Sequence, residues 1–156
     1  MTDDIKAEVA ADKAEIAALI KRQFAALSWD ENHPPQADAL IADCLPDARF
    51  VASARPAKTQ SPADFAARMT GLHDSGKIAA FEERGRGLHI WVTGTVAVAL
   101  AGCEMHENRD QITEDISAFL LVKNPEGWAI LSQTWTILPS ISIAFAALEL
   151  DASPFT

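Results

Sequence analysis

The spacing of hydrophobic positions changes once along this chain, near residue 80. Before that point apolar residues recur every three or four positions, as a helix requires when it buries one stripe. Ile16, Leu19, Ile20, Phe24 and Leu27 form the first such stripe. Asp12 with Glu15 three positions later resembles a capping box, so the first helix is predicted to start at Asp12 and residues 1–11 to be an extension. Pro34-Pro35 opens a second helix on Ala37, Leu40, Ile41, Cys44 and Leu45, which Pro46 stops. Arg49 to Ala52 reads as a short strand. Ser61-Pro62-Ala63-Asp64 combines an N-cap with a first-turn proline, and Phe65, Met69 and Leu72 give the third helix its apolar face. Asp74-Ser75-Gly76 ends it.

From Phe81 the period becomes two, and four strand-like runs follow up to Leu138. Thr93-Gly94 separates Leu88–Val92 from Thr95–Met105, with glycine supplying the positive φ of a tight hairpin. Asn108-Arg109-Asp110-Gln111 is a polar loop before Ile112–Lys123. Asn124-Pro125-Glu126-Gly127 is a turn sequence, and strand Trp128–Leu138 follows it. A meander with a bare apolar face cannot stand alone, so the three helices must cover it in an α+β domain, 12–138. The apolar tail, 139–156, is expected to dock on that domain. Val96–Leu100, Ile116–Val122 and Ile130–Ile137 are apolar on both faces, more than three short helices can cover, which predicts a homodimer through the outer sheet face.

The chain has 156 residues, of which 49% are hydrophobic, enough for one full-sized core. Thirteen Lys and Arg against 22 Asp and Glu leave a net charge of -9 with no basic stripe, which argues against nucleic acid as a partner. The acidic start, Met1-Thr2-Asp3-Asp4, has no leader pattern, and no apolar run nears the ~20 residues that span a bilayer. No membrane association and a cytoplasmic location are the expectation. Cys44 and Cys103 form no C-x-x-C and read as buried small hydrophobes.

Helices first, then an antiparallel meander closing on Gly127-Trp128 and Trp135, resembles the nuclear transport factor 2-like (SnoaL-like) superfamily. Asp47-Ala48 entering the first strand and Thr95-Val96-Ala97-Val98 after a glycine turn add to the likeness. The resemblance implies three N-terminal helices on a strongly curved antiparallel sheet, forming a cone that holds a small apolar molecule. It implies no cofactor. Enzymes of the superfamily, such as ketosteroid isomerases and scytalone dehydratases, use a phenol as hydrogen-bond donor. This chain has no tyrosine, so those mechanisms do not carry over intact.

Candidate site residues follow from this frame. Asp30, beside Trp29 after the first helix, stands about where similar proteins place an acid at the pocket mouth. His89 and Trp91 share a strand face and, if that face is concave, offer a titratable donor beside an apolar wall. Glu104 and His106 also share a face, with Glu114 or Asp115 on the next strand, but the spacing is not that of a metal site. The expected ligand-binding residues are Trp29, Phe50, Phe65, Met69, Trp91, Phe119 and Trp135. Two readings follow: a small-molecule-binding domain, or a cofactor-independent lyase, isomerase or hydrolase in which Asp30 or His89 moves a proton.

Overall fold

The computed structural model describes Thr2 to Phe155. Helix α1 spans Thr2–Ala26, ten residues more than its apolar stripe alone suggests, with Asp3 and Asp4 placed favourably at the positive end of its dipole. Asp12 therefore caps nothing. Its carboxylate, buried in mid-helix, accepts from the Trp128 indole N–H at 3.0 Å and pairs with Lys123 Nζ at 2.9 Å. Glu15 Oε1 accepts from the Trp128 backbone N–H at 3.2 Å. The pair that resembled a capping box instead clamps α1 to the last hairpin.

Helix α2, Ala37–Ala42, is shorter than predicted, because strand β1 begins at Cys44 and runs to Val51. Pro46 lies inside that strand, where its pairing is interrupted between Cys44 and Arg49 and no ladder N–H is needed. After the two-residue strand β2, Thr59–Gln60, helix α3 covers Pro62–Asp74. The Ser61 hydroxyl accepts from the Asp64 N–H at 3.0 Å, as an N-cap should. Then come β3 (Phe81–Thr93), β4 (Val96–Glu107), β5 (Gln111–Asn124) and β6 (Gly127–Leu138). Gly94 and Gly127 take positive φ at the two tight turns. Helix α4, Ile141–Ala147, and strand β7, Pro154–Phe155, complete the described chain. Among the described residues no helix is long and apolar enough to cross a membrane.

The strands form one sheet in the order β2-β1-β6-β5-β4-β3-β7. It is mixed rather than wholly antiparallel: the β3 to β6 meander is antiparallel, but β1 lies parallel to β6. Helix α3 and the four strands β2 to β5 separate β1 from β6 in sequence, so no hairpin forces them to oppose. The concave face carries the core, in which Ile16, Leu19 and Ile20 of α1 meet Ala97, Ala99 and Ala101 of β4 and Phe119 and Leu121 of β5. The convex face is covered only in part, by α4 through the fully buried Ile141 and Phe145.

One irregularity decides which side chains face inward. Along β3 the pairing with β4 runs from Phe81 opposite Glu107 to Arg86 opposite Gly102, then skips to Leu88 opposite Ala101. Gly87, at φ +71°, is the extra residue of this bulge. Before it Phe81, Glu83 and Gly85 face the helices. After it Leu88, Ile90 and Val92 pack on the core, which turns His89 and Trp91 to the convex side.

Candidate functional site

Between the helices and the concave sheet lies a cavity of about 180 Å³. Phe24 of α1, Leu27 just beyond its end, and Phe65, Met69 and Leu72 of α3 form its helical wall. Trp29, Ile78 and Phe81 close one end, Trp29 stacked on Phe81 with ring centroids 4.7 Å apart. The Trp29 indole N–H donates to the Ile78 carbonyl at 2.9 Å, which fixes the ring and leaves its face to the cavity. The sheet contributes Glu83, Cys103, Met105, Asp115, Ser117, Gln133 and Trp135. Trp135 lies edge-on to Phe65, centroids 5.4 Å apart.

Two carboxyls therefore sit on the sheet side of a chamber walled by aromatic and aliphatic side chains. Glu83 is on β3 and Asp115 on β5. Cys103 of β4 lies between them, opposite Gly85 on one side and Asp115 on the other. Asp115 is 5% exposed, and its Oδ1 has no hydrogen-bond partner. Burial pushes its carboxyl up to about 7. Burial also pushes Glu83 well above the usual carboxylate range, with the negative charge of Asp115 adding to the effect. The half-buried Glu83 meets solvent only where the cavity and an adjoining surface depression reach it. The Cys103 thiol is raised by burial and then by the two carboxyls, which keeps it protonated and poorly nucleophilic. Both carboxyls are thus held toward the neutral form, in which a carboxyl can donate a hydrogen bond, and each can act as a base once ionised. Beside them the Gln133 amide donates to the Ser117 hydroxyl at 3.3 Å.

Of the residues expected to bind ligand, Trp29, Phe65, Met69 and Trp135 line this cavity. Phe50 and Phe119 do not reach it. Phe50 lies behind Phe65, centroids 5.3 Å apart, and Phe119 is buried further along β5. Trp91 is on the convex face, 47% exposed, because of the bulge at Gly87. The same bulge sends His89 outward, where its Nε2–H donates to the Asp151 carbonyl at 2.6 Å and its ring lies 5.4 Å from Phe145. Asp30 belongs to a turn beside the open surface depression. Its carboxylate accepts from the backbone N–H groups of Asn32 and His33, at 2.8 and 2.9 Å, and from the His33 ring at 2.9 Å. The Asn32 bond, followed by the His33 ring, holds it below the ordinary carboxylate range.

Glu104 and His106 do meet, at 3.3 Å, but on the convex face and in the company of Arg86. Arg86 pairs with Glu104 at 2.9 Å, lies 3.9 Å from Glu114 and donates to the Ser142 hydroxyl at 2.8 Å. The cluster ties α4 to the sheet. Asp115 takes no part, since it faces the opposite way from Glu114. A strand-parity argument alone could have found the cavity acids: Asp115 is in phase with Phe119 and Leu121, and Glu83 with Phe81.

The fold is similar to that of solved structures with a cystatin-like fold, some of them NTF2-like proteins. It matches an NTF2-like protein from Novosphingobium aromaticivorans with a TM-score of 0.71 and 17% identity, over 93% of this chain and 94% of that one. A candidate dehydratase of the NTF2-like family from Streptomyces avermitilis matches at 0.67 and 11% identity, over 84% of this chain and 99% of that one. A protein of unknown function with a cystatin-like fold from Nostoc punctiforme matches at 0.65 and 14% identity, over 86% and 96%. No family model matches the chain, and no curated protein matches it. At such identities the likeness is one of fold.

Proposed function

We propose that the cavity binds one small, largely apolar molecule whose polar group seats against Glu83 and Asp115. The observation that carries this reading is the buried Asp115 carboxyl, which lines the chamber and whose Oδ1 has no hydrogen-bond partner among the described residues. Leaving a buried acceptor unsatisfied costs roughly 1–3 kcal/mol, which a ligand donor at that position recovers. Trp29 and Trp135 in the walls supply the test. Titration with small aromatic compounds should change tryptophan fluorescence saturably, and Trp135→Ala should reduce both amplitude and affinity. Unchanged binding in Trp135→Ala would place the ligand elsewhere.

A second reading is a cofactor-independent lyase, isomerase or hydrolase, and the paired carboxyls favour it. Two carboxyls that burial favours in the neutral form, both lining one cavity, can supply the acid and the base such chemistry needs. The proton-moving role expected of Asp30 or His89 passes in this reading to Glu83 and Asp115, which face the cavity. The candidate dehydratase with the same fold is in keeping with it. Glu83→Gln and Asp115→Asn would each abolish turnover in an enzyme, whereas a binder would only lose affinity.

The reading includes a homodimer. Trp91, Val96, Val98 and Leu120 are exposed together on the convex face beyond the reach of α4, and a second copy is the partner such a self-complementary patch suits.

A further inference from the structure

We infer that the ligand's polar group is an alkylammonium, so that the cavity takes a small primary amine carried on an aromatic or compact apolar body. This rests on the cavity being a binding site, and it names the class of molecule. Elsewhere in the chain acids drawn into the fold have a cation of their own: Asp12 has Lys123 at 2.9 Å and Glu104 has Arg86 at 2.9 Å. Glu83 and Asp115 have none among the described residues. The single cationic side chain at the cavity is Arg68. It is exposed, and its guanidinium stands over the Phe65 ring, 5.6 Å from the centroid, without an ion pair to either acid. The floor thus holds one buried and one half-buried acid with no counter-charge among the described residues.

An ammonium supplies that charge and three N–H donors in a compact head, so that it can serve more than one acceptor of the floor. A neutral carbonyl would satisfy only whichever carboxyl holds the proton. A carboxylate would add a further negative charge to a chamber already lined by Glu83, Asp115 and Glu107. Trp29, Phe65 and Trp135 surround the floor, and aromatic faces attract a cation as well as its apolar body. A cavity of about 150 Å³ accepts benzene, so about 180 Å³ leaves room for a ring with a one-carbon arm.

Binding of this kind is coupled to protons. The titratable and charged groups facing the site are Glu83 from β3, Cys103 and Glu107 from β4, Asp115 from β5 and Arg68 from α3; α1 and β6 contribute none. An ammonium pairs best with an ionised Asp115 carboxyl, so uptake releases protons and tightens as pH rises through the range in which Asp115 titrates, near 7.

The experiment is calorimetric titration of the full chain with benzylamine, benzyl alcohol and benzoate, at about pH 5.5 and about pH 8. Benzylamine should bind at least about tenfold more tightly than benzyl alcohol at the higher pH, weaken at least about tenfold at the lower, and release protons. Glu83→Gln and Asp115→Asn should each lower benzylamine affinity by about tenfold or more and leave benzyl alcohol within about threefold. A thermal melt of each variant confirms that it is folded. If benzyl alcohol binds as well as benzylamine at both pH values, or benzoate binds best, the amine inference is overturned and the binding site stands. If none of the three binds saturably, both fall.

Discussion

Asp12 and Asp115 are both buried aspartates, and their surroundings move them in opposite directions. Hydrogen bonds from Lys123 and then Trp128 hold the Asp12 carboxyl below the ordinary range. Its contribution to stability is present above the unfolded value near 4 and is lost as pH falls through the lower folded value. Asp115, raised by burial to about 7, works the other way. Between about pH 4 and pH 7 the folded protein keeps a proton that the unfolded chain has released, so stability falls as pH rises across that window and then levels. Glu83 adds to the same trend. The thermal midpoint should therefore be higher near pH 5 than near pH 8, by an amount equivalent to roughly 1–3 kcal/mol. Asp115→Asn should flatten the slope and raise the midpoint at the higher pH; an unchanged slope would mean that Asp115 is not the titrating group. Trp128 offers a second check. Removing its buried ring and its bond to Asp12 in Trp128→Ala should cost about 3–5 kcal/mol in thermal or denaturant unfolding. Trp128→Phe should cost less, since it keeps most of the packing and gives up the indole N–H.

Elements whose ends are written in local chemistry were legible in the sequence. Helix α3 begins where Ser61-Pro62 predicts and stops at Asp74 before Gly76, and the hairpins turn at Gly94 and Gly127. What was not legible depends on residues far apart. Asp12 and Glu15 have the spacing of a cap, and only their contact with Trp128 shows them to be a clamp. Pro46 is tolerated in β1 because of a gap in pairing with β6, more than 80 positions away in sequence. The bulge at Gly87 matters most, because one extra residue reverses the parity of everything after it. Extending the alternation of Phe81 and Glu83 past Gly87 brings His89 and Trp91 inward, whereas the structure turns them out and leaves Glu83 and Asp115 as the cavity acids. Gly87 is therefore a test at this scale. Its φ is +71°, and a Cβ there would lie 2.7 Å from the Phe145 ring and 2.8 Å from the Asp151 carbonyl oxygen. Gly87→Val should destabilise the fold by about 1–3 kcal/mol through strain at that φ alone. The crowding at Phe145 adds to this, so amide exchange should rise first in α4 and the chain after it. Normal protection there would mean that the tail does not depend on the bulge.

Taken whole, the molecule has apolar surface on both sides of one sheet, and its helices serve the two sides unequally. The concave side is filled by α1 and α3 except for the cavity, and α4 covers the convex side only around Ile141 and Phe145. The tail thus does part of the covering that the sequence assigned to a partner. Trp91, Val96, Val98 and Leu120 are still left in solvent, on neighbouring strands and near the β3–β4 turn. A net charge of -9 on each copy opposes association at long range, and salt screens that repulsion while strengthening apolar contact. The expected behaviour is a dimer of the 16.8 kDa chain at micromolar concentration, tighter in higher salt. Val98→Lys places a charge in the centre of the patch without touching the cavity or the core, so it should return the protein to monomer while ligand binding persists. Sedimentation equilibrium decides the matter. A wild-type chain that remains monomeric across salt concentrations would leave the convex face uncovered and remove the dimer, with no consequence for the Glu83 and Asp115 site on the other side of the sheet.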